Sequence, residues 1–227
     1  MNPAPTVAVA AKLACLDIYD PITYSSFDQV IRVNETVCGL RRDGGLLRVV
    51  LQGTENAPGW EADFNAIPFE HSILGTLHLG FYHNLPEVLD QLWPLLHVYY
   101  AMPTPVLAIE VSGHSKGAAE GAILAALLHN AGYKVTTFLF ACPNAGYHKL
   151  ADYLAKYVPG TSFRNCHTFF REVGDPVPMV PIVPYVAPYP HTLICVPPAN
   201  DNPLIDILDI EWHSGKLYYQ AFADASH

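Results

Sequence analysis

The segment of the chain with the clearest chemical meaning is a G-x-S-x-G motif, Gly113–Gly117. It follows an apolar, β-branched run, 105–112, and precedes a run rich in Ala and Leu, 118–130. This context predicts a strand, a tight turn and a helix, which is the setting in which the motif presents a nucleophilic serine. Ser115 would then stand at the helix N-terminus, where backbone N–H groups and the helix dipole favour a developing oxyanion.

A serine nucleophile needs a base, and the base needs a carboxylate that holds its tautomer. In parallel sheets such sites form at the carboxyl ends of strands, and with a serine on this kind of turn the chain order is Ser, acid, His. Asp175 directly follows a predicted strand, 167–173, and is the predicted acid, with a turn-forming Asp before Pro as the alternative. The other downstream acids lie in a predicted helix or follow no strand: Asp152, Asp201, Asp206 and Asp209.

Three histidines follow the predicted acid and could act as the base: His191, His213 and His227. His227 is the last residue, and chain ends fray. His213 lies between two turn-prone segments, 209–212 and 214–215, and we prefer it as the base. His191 stays open as the alternative, because spacing alone does not decide between the two.

An oxyanion site needs two hydrogen-bond donors. The backbone N–H of Lys116, the residue after the nucleophile, is one predicted donor. Thr54, at the end of a predicted strand, would supply the other through its N–H and its hydroxyl. His114 lies inside the motif; we expect its side chain to pack away from Ser115, and we also count it among the candidate substrate-side residues.

Composition limits the classes of protein that this chain can be. The 227 residues, 51% of them hydrophobic, are enough for one domain, 1–227. A formal net charge of -9 disfavours a nucleic-acid partner. The five cysteines form no C-x-x-C, and the histidines show no zinc-site spacing, so we expect no zinc site. We identify no signal peptide or transmembrane segment and expect a cytoplasmic protein, with export by a signal-free route left open.

Strand-like and helix-like segments alternate through the middle of the chain. The predicted strands are 45–52, 106–111, 134–141, 167–173 and 192–196, and the predicted helices are 6–19, 85–102, 118–130 and 147–157. This alternation predicts an α/β fold with a mostly parallel central sheet and helices on both faces.

Several segments, in chain order, resemble the class 3, fungal-type triacylglycerol lipase family. The matching segments are Leu47–Thr54, the W-x-x-D of Trp60–Asp63, the H-x-G-F of His78–Phe81, the motif Gly113–Gly117, Phe138–Gly146, the D-x-V-P-x-x-P of Asp175–Pro181 and Trp212–Tyr218. The resemblance runs over about residues 45–220. It implies the α/β-hydrolase fold, with Gly113–Gly117 as the nucleophile elbow, and no cofactor.

The resemblance also implies a reaction. Ser115 would attack a carboxylic ester, His213 would shuttle the proton, Asp175 would orient His213, and Thr54 and Lys116 would hold the oxyanion. The substrate would be a small-molecule or lipid ester, with transient contact to a lipid interface. In the family, a lid follows the oxyanion turn, which corresponds to about 55–69 here. Its candidate apolar contacts are Trp60, Phe64, Ile67 and Phe69.

The chain departs from the family pattern in ways that leave its substrate open. Lys116 stands where Leu is usual, and Gln52 where Arg is frequent. The aromatic residue after His213 comes two positions late. Phospholipase A1, feruloyl esterase and thioesterase activities stay open within the fold, and the sequence does not give the oligomeric state. A degenerate hydrolase fold with a binding or regulatory role is the alternative to an enzyme, and a complete set of triad residues with Thr54 favours the enzyme.

Overall fold

A mixed β-sheet forms the centre of the computed structural model, which describes residues 3–54, 67–166, 174–182, 184–198 and 210–223. The strands within these ranges are β1 (Gln29–Val33), β2 (Thr36–Asp43), β3 (Leu46–Leu51), β4 (Pro68–His71), β5 (Gly75–His78), β6 (Ala108–His114), β7 (Val135–Phe140), β8 (Gly160–Asn165) and β9 (His191–Ile194). Seven of them form one sheet in the order β1-β2-β3-β6-β7-β8-β9. The first three are antiparallel neighbours, whereas β3 and all later strands of this sheet run parallel. Strands β4 and β5 pair separately.

Helices cover both faces of this sheet. They are α1 (Pro3–Cys15), α2 (Leu79–Tyr82), α3 (Leu85–Ala101), α4 (Lys116–Asn130), α5 (His148–Tyr157) and α6 (Gly215–Ala223). Short 3₁₀ helices occupy Asp17–Tyr19, Pro21–Ser26, Val177–Met179 and Ile210–His213. No helix in the described ranges has the length and apolar character needed to cross a lipid bilayer.

Alternation along β3 shows why two helical layers are needed. Leu47, Val49 and Leu51 belong to a buried cluster with α3, α4 and α5, whereas Val50 belongs to a second cluster with α1 and α6. Because successive strand residues point to opposite faces, a strand that is apolar at every position must be covered on both sides. The sheet edge at the carboxyl ends of the parallel strands is left for the site.

The predicted architecture, a mostly parallel sheet with helices on both faces, is confirmed. The bounds of the elements differ from the prediction in places. α4 begins at Lys116, two residues early; the predicted opening helix ends at Cys15 and continues to Tyr19 only after a break, as 3₁₀. The elements that were not predicted include the β1–β2 hairpin, the β4–β5 pair, strand β8 and helices α2 and α6. The predicted strand 167–173 lies outside the described residues.

Candidate active site

The turn between β6 and α4 consists of a single residue. β6 ends at His114 and α4 begins at Lys116, so Ser115 alone makes the connection. Its backbone has φ 58° and ψ -131°, a conformation that is strained for a residue with a side chain. The Ser115 N–H donates to the carbonyl of Phe140 on the neighbouring strand at 3.0 Å, and the Ser115 carbonyl accepts from Ala118 in the first turn of α4 at 2.9 Å. The strand and the helix therefore hold the serine in this conformation.

Two glycines let the elbow close. A Cβ on Gly113 would lie 2.3 Å from the carbonyl oxygen of Gly117, and a Cβ on Gly117 would lie 2.3 Å from the carbonyl oxygen of Leu51. Real Cβ atoms essentially never approach so closely. Helix α4 thus packs directly on the backbone of β3 and β6, which places Ser115 at the edge of the sheet.

His213 brings the far end of the chain to this serine. It ends the 3₁₀ helix Ile210–His213, just before α6. Its Nε2 lies 2.8 Å from Ser115 Oγ, and its Nδ1 lies 3.0 and 3.1 Å from the two carboxylate oxygens of Asp175. The structure thus brings the predicted nucleophile, base and acid together. The other candidate base, His191, faces Ser162 Oγ instead, at 3.3 Å.

Asp175 is completely buried, and its partners decide its charge. Burial alone would raise its pKa, but the facing His213, a hydrogen bond from Tyr218 Oη at 2.6 Å and another from the N–H of Val177 at 2.9 Å lower the pKa below its usual value. Hydrogen bonds to the charged form outweigh desolvation here. The carboxylate therefore stays ionised and accepts the Nδ1–H of His213, which leaves Nε2 free of its proton and facing the serine.

The predicted oxyanion turn lies against the elbow. A Cβ on Gly53 would be 3.1 Å from Ser115 Cβ and 2.5 Å from the carbonyl oxygen of His114. Thr54, the next residue, is exposed. Lys116 is the first residue of α4, at the positive end of the helix dipole. Lys116 therefore directly follows the serine, and the residue before Thr54 packs against it.

His114 is buried against His213, with ring centroids 4.7 Å apart. It is 5% exposed, and its Nε2 lies 2.9 Å from the backbone carbonyl of His213. A carbonyl only accepts, so Nε2 carries the proton. Burial and the nearby His213 lower the pKa of His114 to about 3, so the ring is neutral and Nδ1 accepts from Tyr19 Oη at 3.1 Å. Both ring nitrogens are engaged within the protein, so the structure gives His114 no ring nitrogen that is open to a substrate.

A family model described as lipase (class 3) matches residues 48–185, more than half of the 227-residue chain. The chain belongs to the class 3 lipase family. It is therefore a serine hydrolase of carboxylic esters, as predicted. No curated protein sequence matches it significantly.

Several solved structures of fungal lipases have the same fold as this chain. A lipase from Rhizopus microsporus var. chinensis has a TM-score of 0.71 at 16% identity, covering 84% of this chain and 74% of its own. A mono- and diacylglycerol lipase from Aspergillus oryzae has 0.70 at 20% identity, covering 87% and 80%. The Rhizomucor miehei triacylglyceride lipase has 0.68 at 18% identity, covering 85% and 79%.

The predicted lid residues divide into two groups. Trp60 and Phe64 lie outside the described residues. Ile67 is 55% exposed, whereas Phe69, on β4, stacks on Tyr82 with ring centroids 4.7 Å apart. Of the two described residues, Ile67 is exposed and Phe69 is half-buried.

Sequence reasoning missed two tyrosines that support the site. Tyr218 donates to Asp175 and accepts from the N–H of Asn165 at 2.9 Å. Tyr19 Oη accepts from the N–H of Gly53 at 3.0 Å and donates to His114. Tyr218 ends a segment that already resembled the family, so a signal was present. Tyr19 follows the predicted opening helix at no informative spacing, so no local pattern identifies it.

Proposed function

We propose that Ser115, His213 and Asp175 are the catalytic triad of this ester hydrolase and that the enzyme acts on acylglycerol-type lipid esters. The observation that carries the triad is the continuous hydrogen-bond chain from Ser115 Oγ to His213 Nε2 at 2.8 Å and from His213 Nδ1 to Asp175 at 3.0 Å. Distances in this range allow the base to take the serine proton directly.

The proposed reaction follows from these positions. Ser115 Oγ passes its proton to His213 Nε2 and bonds to the ester carbonyl carbon, whose oxygen becomes negative. The N–H groups of Lys116 and Thr54 stabilise that oxyanion, while ionised Asp175 stabilises the imidazolium. His213 then gives the proton to the departing alcohol. Water, deprotonated by His213, attacks the acyl-enzyme, and the proton returns to Ser115 as the carboxylic acid leaves.

Exposed apolar side chains that lie close in sequence to residues of the site and in the predicted lid support a lipid substrate. Ile22 is 85% exposed and closely follows Tyr19; Met179 and Ile182, at 52% and 72%, follow Asp175. Ile67, at 55%, precedes β4. Each buried methylene of an acyl chain contributes about 0.8 kcal/mol, so side chains of this kind favour an apolar ester over a polar one. The acylglycerol lipases with the same fold, from Aspergillus oryzae and Rhizomucor miehei, support the same substrate class.

The first experiment is turnover of p-nitrophenyl esters by the purified protein and by Ser115→Ala. The substitution should remove turnover, because the remaining groups have no nucleophile to activate, and the circular dichroism spectrum should not change. Labelling by a fluorophosphonate should disappear in the same variant. Undiminished turnover in Ser115→Ala would remove the proposed mechanism, and an inactive wild type would favour the binding or regulatory alternative.

The second measurement addresses the substrate class. Mono-, di- and triacylglycerols with acyl chains of increasing length are hydrolysed at concentrations below and above their solubility. We expect activity to increase with chain length and to rise further once an oil–water interface is present. A preference for short, soluble esters at all concentrations would contradict the lipid proposal and would leave the triad assignment intact.

A further inference from the structure

The side chain of Lys116, the residue that would donate its backbone N–H to the oxyanion, is held by two carboxylates. Its Nζ lies 2.8 Å from Glu120 Oε1 and 3.7 Å from Glu35 Oε1. The Lys116 side chain is 15% exposed, Glu120 is 1% exposed and Glu35 is 55% exposed. The ammonium is therefore neutralised by its own carboxylate partners and is not available as a free charge beside the oxyanion.

The two carboxylates belong to a network that joins three elements. Glu120 Oε1 accepts from Thr36 Oγ1 at 3.0 Å, and Thr36 Oγ1 accepts from Asn84 Nδ2 at 3.1 Å. Glu35 and Thr36 form the turn and start of the β1–β2 hairpin, and Asn84 directly precedes α3. Lys116 and Glu120 are one turn apart on α4. The network thus ties the first turn of α4 to the hairpin and to the start of α3.

Helix stability does not account for this arrangement. A cation in the first turn opposes the helix dipole, and a Lys that precedes Glu by four residues is the weaker orientation of such a pair. Glu120 is also almost completely buried, where a charge is costly unless it is paired. Burial raises the pKa of Glu120, whereas Lys116 and Thr36 act in the opposite direction. The ion pairs of Lys116 must therefore serve the tertiary structure and not the helix itself. The group that they fix most directly is the backbone of Lys116.

We propose that Lys116 is a positioning residue: the clamp of its ammonium by Glu120 and Glu35 fixes its own backbone N–H in the direction of the oxyanion. This inference rests on the proposed function, since it concerns the oxyanion site of the same reaction. Stabilisation of an oxyanion depends on donors that are already in place when the charge develops. A loosened first turn of α4 would therefore lower the rate of the chemical step and leave substrate binding unchanged.

Lys116→Met removes the clamp and keeps most of the side-chain volume. The concentration of functional sites is measured with a fluorophosphonate, and kcat and KM for a p-nitrophenyl ester are calculated per functional site. We expect kcat to fall about tenfold, with KM within about twofold of the wild type. Affinity for a boronic acid, whose tetrahedral adduct places an oxygen in the oxyanion site, should weaken in parallel with kcat.

Two further variants separate positioning from stability. In Lys116→Met/Glu120→Met the buried charge is gone from both partners, so thermal stability should recover while kcat stays low. Glu120→Gln keeps the shape of the side chain and loses its charge, and it should also lower kcat. This variant tests the proposal even if Lys116→Met folds poorly. The matched control is Glu110→Gln, which removes the carboxylate of the buried Arg48–Glu110 pair on β3 and β6, five positions before Ser115. It should change stability without changing kcat per site.

Several outcomes would overturn the inference. A wild-type kcat in Lys116→Met or a recovered kcat in the double methionine variant would do so. A higher kcat in Glu120→Gln would also do so, because it would mean that a released ammonium acts on the oxyanion directly. An equal loss of kcat in Glu110→Gln would show a general effect of buried ion pairs. A wild type that labels but shows no turnover would instead remove the proposed function, so the two failures are distinguishable.

Discussion

Asp175 shows how a buried carboxylate is kept ionised by individual hydrogen bonds. It is fully buried, and its carboxylate receives hydrogen bonds from His213, Tyr218 and the N–H of Val177. The Tyr218 hydroxyl is itself held, because it accepts from the N–H of Asn165. Tyr218 thereby connects the end of β8 to Asp175, which in turn contacts His213.

Tyr218→Phe removes one donor to Asp175 and, with the same hydroxyl, the acceptor of the Asn165 N–H. We expect kcat to fall about tenfold, because a less stabilised Asp175 supports the imidazolium less well. The folded-state pKa of Asp175 should rise, since one of the hydrogen bonds that lower it is gone. An acid whose pKa is lower in the folded state than in the unfolded state stabilises the fold at pH values above its unfolded-state pKa. This stabilisation is lost as the pH falls through its folded-state pKa. The loss therefore lies below the unfolded-state pKa of about 3.9, and urea unfolding from about pH 5 down to about pH 2 should show it complete at a higher pH in the variant.

The control for this substitution is Tyr219→Phe, at the next position of α6, where the ring packs partly buried against the cluster of α1 and α6. It should leave kcat and the acid limb of the stability curve unchanged. Equal effects of the two substitutions would mean that Tyr218 acts through packing and not through its hydroxyl.

At the level of elements, the elbow depends on how closely α4 approaches β3. Gly117→Ala places a Cβ 2.3 Å from the carbonyl oxygen of Leu51, and backbone on both sides leaves little room to move. We expect a loss of at least about 3 kcal/mol in the free energy of unfolding, together with low activity from a displaced Ser115. Gly121→Ala, one turn further along α4, meets its nearest neighbour, Val111 Cγ1, at 3.3 Å and should stay within about 1 kcal/mol of the wild type. Chemical denaturation measures both, and similar losses in the two variants would contradict this explanation.

The elements that sequence reasoning found are those whose side chains follow a hydrophobic pattern. β3 and β7 bury apolar residues on both faces, β6 buries Ile109 and Val111 on one face, and all three strands were predicted from their apolar residues. β8 was missed because several of its buried residues are polar: Ser162, Arg164 and Asn165. Two of them hold the site, since Arg164 Nε donates to the carbonyl of Asp175 at 3.0 Å and the Asn165 carbonyl accepts from the N–H of Asp175 at 2.9 Å. A strand built for hydrogen bonding lacks the apolar signal that identifies a strand.

The β1–β2 hairpin was missed although a local signal existed. Its two-residue turn contains Asn34, whose φ is 50°, and Asn is among the residues that tolerate this conformation in tight hairpins. Motifs identified four candidate site residues because their neighbours in sequence are informative: Ser115, Asp175, Thr54 and Lys116. Spacing alone could not decide between His213 and His191, because the outcome depends on which of the two histidines the packing of α6 brings to Ser115.

On the scale of the whole molecule, four distant segments meet in one chain of hydrogen bonds. The N–H of Gly53 donates to Tyr19 Oη, Tyr19 Oη donates to His114 Nδ1, and His114 Nε2 donates to the carbonyl of His213. These hydrogen bonds thus connect the predicted oxyanion turn, the segment after α1, the elbow and the predicted base behind the candidate active site. This direction of donation requires His114 to be neutral, and that requirement links the assembly of the site to pH.

His114→Gln tests this link through the stability of the folded protein. The pKa of His114 is lowered to about 3 in the folded state, against about 6.5 in an unfolded chain. Below pH 6.5 the unfolded chain therefore binds a proton at His114 that the folded chain does not, and His114 lowers the free energy of unfolding by about 1.4 kcal/mol for each unit that the pH falls. Glutamine does not titrate, so between pH 6.5 and 5 the wild type should lose about 2 kcal/mol more than the variant. Urea unfolding at pH 7, 6 and 5 measures the difference, with His97→Gln, at an exposed position of α3, as the matched control. If His114→Gln and the wild type lose stability in parallel, His114 takes up its proton within the folded protein, and the chain of donors from Gly53 to His213 does not run in the direction described.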